Sequence, residues 1–264
     1  MSSPSSNVHF LLVPGSFSTP PPYNALVTAL TQAGFSASVI PLLSANDGTH
    51  LPPATMEEDA ASIRAAILSI LDHPTSPRNV VVVPHSYGGF PASEACLGLT
   101  PSARAASGKT TSVIGLVYIG SFLPVEGECL RDIMSRSETF PPDLQIGNPG
   151  GYLPPIPAEF ASVILNDVKD PVEAARLHAT MTLHSSDSYN GKVGYAPWKE
   201  VKTVVVTPGE DLVIPVEMQE EMYERAKAAT GGKVKKWVVE GAGHCAAWTR
   251  PEDFARATIS VLQD

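Results

Sequence analysis

Three short stretches of this sequence carry residue types that can do covalent chemistry together. The first, Val80–Gly89, reads V-V-V-V-P-H-S-Y-G-G: an apolar β-branched run meets a turn and then a helical pattern. A serine on a sharp strand-to-helix turn has its hydroxyl lifted clear of the sheet, and small residues must follow because the two backbones approach closely. Ser86 occupies that place, with Gly88 and Gly89 behind it. The helix start adds free N–H groups and a positive dipole end. Pro84 stands where such turns usually carry glycine; it forces Val83 to be extended, so the strand is expected to end there, and it removes one N–H. The competing reading of Ser86 is an ordinary helix N-cap, which serine suits well.

The other two stretches supply partners. A strand-like run, Val234–Val239, leads into E-G-A-G-H and puts His244 on a glycine-rich loop, while Val201–Val206 leads into T-P-G-E-D and puts Asp211 in the same kind of place. A serine hydroxyl is a weak nucleophile until a histidine takes its proton, and the imidazole needs a carboxylate to fix its tautomer. Glu210 could be that acid instead; counting from the Gly209 turn towards Pro215 favours Asp211. His85 adjoins Ser86, but successive residues on a tight turn point apart, so a packed or hydrogen-bonded role suits it better than that of a base. Cys245 follows His244, and a redox role would require a depressed pKa. Phe17, Tyr87, Phe122 and Trp248 flank these residues and either shape an apolar pocket or pack the core.

Such residues need a rigid frame, and the rest of the chain alternates short apolar runs with longer amphipathic ones, as βα units around a mostly parallel sheet do. The expected strands are Val8–Val13, Ala37–Pro41, Val80–Val83, Val113–Ile119, Val201–Val206 and Val234–Val239. The expected helices are Tyr23–Ala33, Met56–Leu71, Tyr87–Leu99, Glu217–Ala228 and Pro251–Leu262. Ile63, Ala66, Ile67 and Ile70 give the Met56 helix one apolar stripe. From 121 to 200 the strand rhythm stops: the segment is rich in Pro and Gly, then helical around Pro157–Thr182, with His178 and His184 as groups that either reach a substrate or serve structure. The sequence therefore predicts an α/β core, 1–120 and 201–264, with 121–200 inserted after a central strand as a helical cap over the carboxyl edge of the sheet, where open α/β folds bind ligands.

Composition narrows the class. The chain has 264 residues, 43% hydrophobic and 17% charged, with a formal net charge of −9. That is globular chemistry, and the charge repels phosphate backbones and anionic headgroups. Neither nucleic acid nor a membrane is an expected partner, and no apolar run reaches spanning length. The first six residues lack the charged and apolar regions of a secretory signal. Three cysteines without C-x-x-C spacing give neither a disulfide framework nor a zinc site, so a cytoplasmic setting is expected.

Taken together, the motifs L-L-V-P-G-S, V-P-H-S-Y-G-G, L-V-Y-I-G-S-F-L-P, T-P-G-E-D-L-V-I-P and G-A-G-H, with Ser86, Asp211 and His244 in that chain order, resemble the α/β-hydrolase superfamily. Within it the chain is similar to the lid-bearing group of plant methylesterases and hydroxynitrile lyases, nearly end to end. The resemblance implies an α/β-hydrolase fold with Ser86 as nucleophile, Asp211 as acid and His244 as base. It also implies an oxyanion hole made by the backbone N–H groups of Ser16 and Tyr87. The lyases it resembles carry threonine where this chain has Gly15 and lysine where it has Cys245, so the esterase-like branch is favoured. The expected activity is hydrolysis of a small hydrophobic carboxylic ester or lactone through an acyl-enzyme, with no metal and no organic cofactor. A small-molecule substrate is the expected partner, and a homodimer is left open. Two alternatives stand beside it: C–C bond hydrolysis or a lyase reaction with the same triad, and a non-catalytic ligand-binding protein of this fold.

Overall fold

Val80, Val81 and Val82 are wholly buried and Val83 nearly so, as expected of a strand with helices on both faces. The computed structural model of the chain describes residues 7–136 and 147–263; the first six residues, read above as lacking a secretory signal, and residues 137–146 of the expected cap lie outside it. Six parallel strands form the central sheet: β1 (Val8–Val13), β2 (Ser36–Val39), β4 (Asn79–Ser86), β5 (Val113–Ser121), β8 (Lys202–Pro208) and β9 (Val234–Val239). Their order is β2-β1-β4-β5-β8-β9. Winding reverses between β1 and β4, and that reversal opens a crevice at their carboxyl ends. The loop carrying Ser16 and the turn carrying Ser86 emerge on either side of it.

Alternate strand residues feed two cores. Leu11, Val13, Val80 and Val82 face one side, where they meet α2 (Met56–Leu71), α3 (Gly89–Ala95) and α8 (Val216–Ala229). Phe10, Leu12, Val81 and Val83 face the other, against α1 (Asn24–Gln32) and α10 (Pro251–Ile259). Helix α2 starts at Met56 because Thr55 and Glu58 form a capping box, the Thr55 Oγ1 accepting the Glu58 N–H and Glu58 accepting the Thr55 N–H. Its Ile63 and Ile67 are fully buried, with Ala66 and Ile70 at the margin of the stripe.

Several bounds differ from expectation. Pro84 does not end its strand: it stays in register opposite Val13, and β4 continues to Ser86. The helix expected from Tyr87 begins at Gly89, since the turn consumes the residues between. Among its described residues the insert between β5 and β8 carries helices α5 (Leu130–Ser135), α6 (Ala161–Ile164) and α7 (Pro171–His178), and also two short strands, β6 (Tyr152–Leu153) and β7 (Leu183–Ser185). These pair antiparallel in a small sheet with β3 (Ala45–Asn46), which comes from outside the insert. Among the described residues no helix is long and apolar enough to cross a membrane.

Candidate active site

Ser86 closes β4 with φ 53°, a left-handed conformation that side-chain-bearing residues rarely adopt and that marks functional turns. The Gly88 N–H donates to the His85 carbonyl at 2.9 Å and tightens the turn. A Cβ on Gly88 would stand 2.5 Å from the Pro14 carbonyl oxygen, and one on Gly89 2.2 Å from that of Phe122, so no side chain fits at either position. The N-cap of α3 is Gly88, with no side-chain bond, so Ser86 does not cap the helix. Its Oγ lies instead 3.1 Å from His244 Nε2.

His244 hangs from the loop after β9, and its Nδ1 lies 2.9 Å from Asp211 Oδ2. Asp211 is buried at 3% exposure. Its Oδ1 accepts the N–H groups of Val213 and Ile214 at 2.8 and 2.9 Å, and its Oδ2 also accepts Gln219 Nε2 at 3.0 Å. With every other bond to this carboxylate coming from a donor, His244 Nδ1 holds the proton and Nε2 presents its lone pair to Ser86. Glu210, the other candidate acid, points its side chain to solvent, and its carbonyl accepts Asn166 Nδ2 at 2.8 Å.

Ser16 and Tyr87 border the same cavity as Ser86 and His244. Among the described residues neither of their N–H groups donates to a backbone carbonyl. The cavity holds about 70 Å³, well under the usual volume of a small-molecule site. Phe17 and Phe122 lie on its core side, and the insert roofs it with Leu130, Met134, Ile156, Ile164 and Met181.

Trp248, expected on the wall, is not there. A short helix, α9 (Ala246–Thr249), carries it away into the second core, edge-on to Tyr23 at 5.7 Å. His178 and His184 do not line the cavity either: His178 Nε2 donates to the Ile156 carbonyl, and His184 is fully buried behind Tyr87. Cys245 does line it, but burial, then the Asp211 and Asp167 charges, push its thiol well above the usual range. Among the described residues no group of three or more His, Cys, Asp or Glu is gathered as a metal site requires.

Three contributors carried no local signal. Gln219 reaches Asp211 from α8, Tyr23 bonds His85 Nδ1 at 2.7 Å, and Tyr189 bonds Ser16 Oγ at 2.7 Å. Each pairing joins residues whose relation exists only once the chain is folded.

The alpha/beta hydrolase family model matches residues 10–257. A protein described as a probable hydrolase from Phoma sp. is 30% identical over 243 residues, covering 92% of this chain and 93% of that one. An alpha/beta hydrolase from Aspergillus novofumigatus is 24% identical over 83% of this chain and 84% of its own. Among solved structures, polyneuridine aldehyde esterase superposes with a TM-score of 0.72 at 20% identity, covering 97% of this chain and 100% of that one. A methylesterase from Arabidopsis does so with a TM-score of 0.66 at 17% identity over 97% and 98%; at such identities these likenesses concern the fold. The match from β1 through the Ser86 turn to the loop of His244, with the fungal hydrolase alike along nearly its whole length, makes this chain an enzyme of the alpha/beta hydrolase family.

Proposed function

We propose that the protein is a serine hydrolase that cleaves a small, apolar carboxylic ester or lactone through an acyl-enzyme. The observation that carries this reading is the continuous line Ser86 Oγ to His244 Nε2, 3.1 Å, and His244 Nδ1 to Asp211 Oδ2, 2.9 Å, at the floor of an apolar cavity. His244 Nε2 takes the hydroxyl proton as Ser86 Oγ attacks the carbonyl carbon, and Asp211 holds the imidazole and balances the charge it acquires. The Ser16 and Tyr87 N–H groups receive the developing oxyanion. His244 then returns the proton to the leaving alcohol and activates the water that releases the acid.

The walls support this substrate class. No Asp, Glu, Lys or Arg is among the described residues that line the cavity, so a charged ligand would lose its hydration without compensation. An aliphatic or aromatic ester, or a lactone, leaves no such debt. The test is turnover of short p-nitrophenyl esters by the wild type and by Ser86→Ala; hydrolysis that persists unchanged in the variant overturns the assignment. Product analysis on esters beside β-diketones separates ester hydrolysis from C–C cleavage by the same residues.

A further inference from the structure

Two contacts tie the insert to the loop after β1. The Tyr189 hydroxyl donates to Ser16 Oγ at 2.7 Å, across 173 positions of sequence, and the Thr182 N–H donates to the Phe17 carbonyl at 2.9 Å. Phe17 has φ 59°, a left-handed conformation that is strained for a residue with a Cβ. Left to itself, such a loop would relax. It is held by the Thr182 bond and by packing of the Phe17 ring on His184, 5.4 Å between centroids. His184 in turn lies against the rings of Tyr87 at 4.9 Å and Tyr189 at 5.1 Å. One buried aromatic group thus touches the residues on both sides of the crevice and the insert that covers it.

Tyr189 grips Ser16 in a defined sense. Its phenol gives its proton to Ser16 Oγ, and burial, the largest influence on it, raises the phenol pKa so that the group remains a donor across the working range. Rotation of the Ser16 side chain and displacement of its backbone both break this bond. Ser16 is also one of the two residues whose N–H groups the hydrolase reading assigns to the oxyanion.

We propose that Tyr189 is a positioning residue by which the cap fixes the Ser16 N–H for oxyanion binding. This rests on the serine hydrolase reading above. The cap is then part of the machinery that stabilises the transition state as well as a wall for substrate. Misaligning a preorganised donor weakens binding of the tetrahedral intermediate more than binding of the planar ester.

The experiment compares Tyr189→Phe, Ser16→Ala and the double variant on a p-nitrophenyl ester, with a trifluoromethyl ketone as the tetrahedral mimic. Tyr189→Phe removes one oxygen and keeps the ring, and thermal melting checks that it folds. The expected result is a fall in kcat of about ten- to hundredfold, a KM changed by less than about twofold and a mimic weakened by the same factor as kcat. Ser16→Ala, which keeps the N–H and loses the grip, matches it, and the double variant is no worse than either single one. A Tyr189→Phe kcat within about twofold of wild type, or losses that multiply in the double variant, overturns the proposal. Ser86→Ala run alongside separates the failures: turnover there removes the hydrolase reading, whereas an inactive Ser86→Ala beside an unaffected Tyr189→Phe removes only the role of Tyr189.

Discussion

His85 Nε2 lies 3.0 Å from the carbonyl oxygen of His244, so the residue before the serine holds the main chain of the histidine that faces it. A carbonyl only accepts, so Nε2 carries the proton and Nδ1 accepts from the Tyr23 hydroxyl; the Tyr23 oxygen accepts the Gly15 N–H at 3.0 Å. One directed chain of bonds links the loop before Ser16 to the loop of His244. Burial, with the neighbouring His244, lowers the His85 pKa to about 3, so the ring stays neutral and keeps this tautomer. Tyr23→Phe orphans the Gly15 N–H and His85 Nδ1, and urea unfolding is expected to show a loss of about 1–3 kcal/mol. Wild-type stability would mean that the chain of bonds contributes nothing.

Asp211→Asn keeps the shape of the side chain but offers His244 an amide. The imidazole then loses the partner that fixes its tautomer, and kcat on p-nitrophenyl esters is expected to fall by about 10³–10⁴-fold. A fall of less than about tenfold would place the orienting role elsewhere.

Gly89→Ala tests the close approach of α3 to the end of β5. The added Cβ meets the Phe122 carbonyl oxygen at 2.2 Å and Ser121 Oγ at 2.7 Å. Backbone cannot swing aside like a flexible side chain, so a loss of about 1–3 kcal/mol is expected, read as a lower melting temperature. An unchanged melting temperature would contradict the packing described.

Stability should weaken on acidification. Burial lowers His85 and His184 from the ordinary 6.5 to about 3, and burial, then the Arg78 charge, lowers His9 to about 4. Below pH 6.5 these histidines take up protons in the unfolded chain but not in the folded one, so the stability they contribute is full above 6.5 and is lost towards pH 3. Asp59 acts in the opposite sense, because burial holds its carboxyl above the usual 3.8. Each proton withheld is worth about 1.4 kcal/mol per pH unit, and two fully buried histidines outweigh one carboxyl. The urea midpoint at pH 4.5 is expected to lie below that at pH 7; an equal or higher midpoint would contradict this.

The three cysteines should be silent in the native protein. All are buried, and burial pushes Cys96 up to about 12 and raises Cys129 and Cys245 as well. Since the thiolate is the reactive form, Ellman's reagent at pH 8 is expected to find no thiol before unfolding and three afterwards. Inactivation by iodoacetamide at neutral pH would show that Cys245 is more accessible than the structure allows.

The sequence was most legible where one local pattern decided the outcome. Val8–Val13, Val234–Val239 and Met56–Leu71 have the expected bounds, because a short apolar run between turns, or a helical stripe, leaves no competing choice. Pro84 was misleading: its hold on Val83 suggested a clean strand end there, yet the register with β1 carries β4 on to Ser86. β6 and β7 span two and three residues, too few for a period to show. Trp248 looked like a wall residue because it follows His244 closely, but one helical turn is enough to send it into the core beside Tyr23. Ser86, Asp211 and His244 were readable because Ser86 closes a strand and Asp211 and His244 each lie just past one, whereas Gln219, Tyr23 and Tyr189 act through tertiary contacts that no local pattern encodes.

Ser86 as the nucleophile is tested most directly by stoichiometric reaction with a fluorophosphonate, followed by peptide mapping and an activity assay on the same sample. One adduct per chain on the peptide containing Ser86, a loss of esterase activity in proportion to labelling, and no adduct in Ser86→Ala are the expected results. Full labelling that leaves hydrolysis intact, or an adduct on another residue, would contradict Ser86 as the nucleophile.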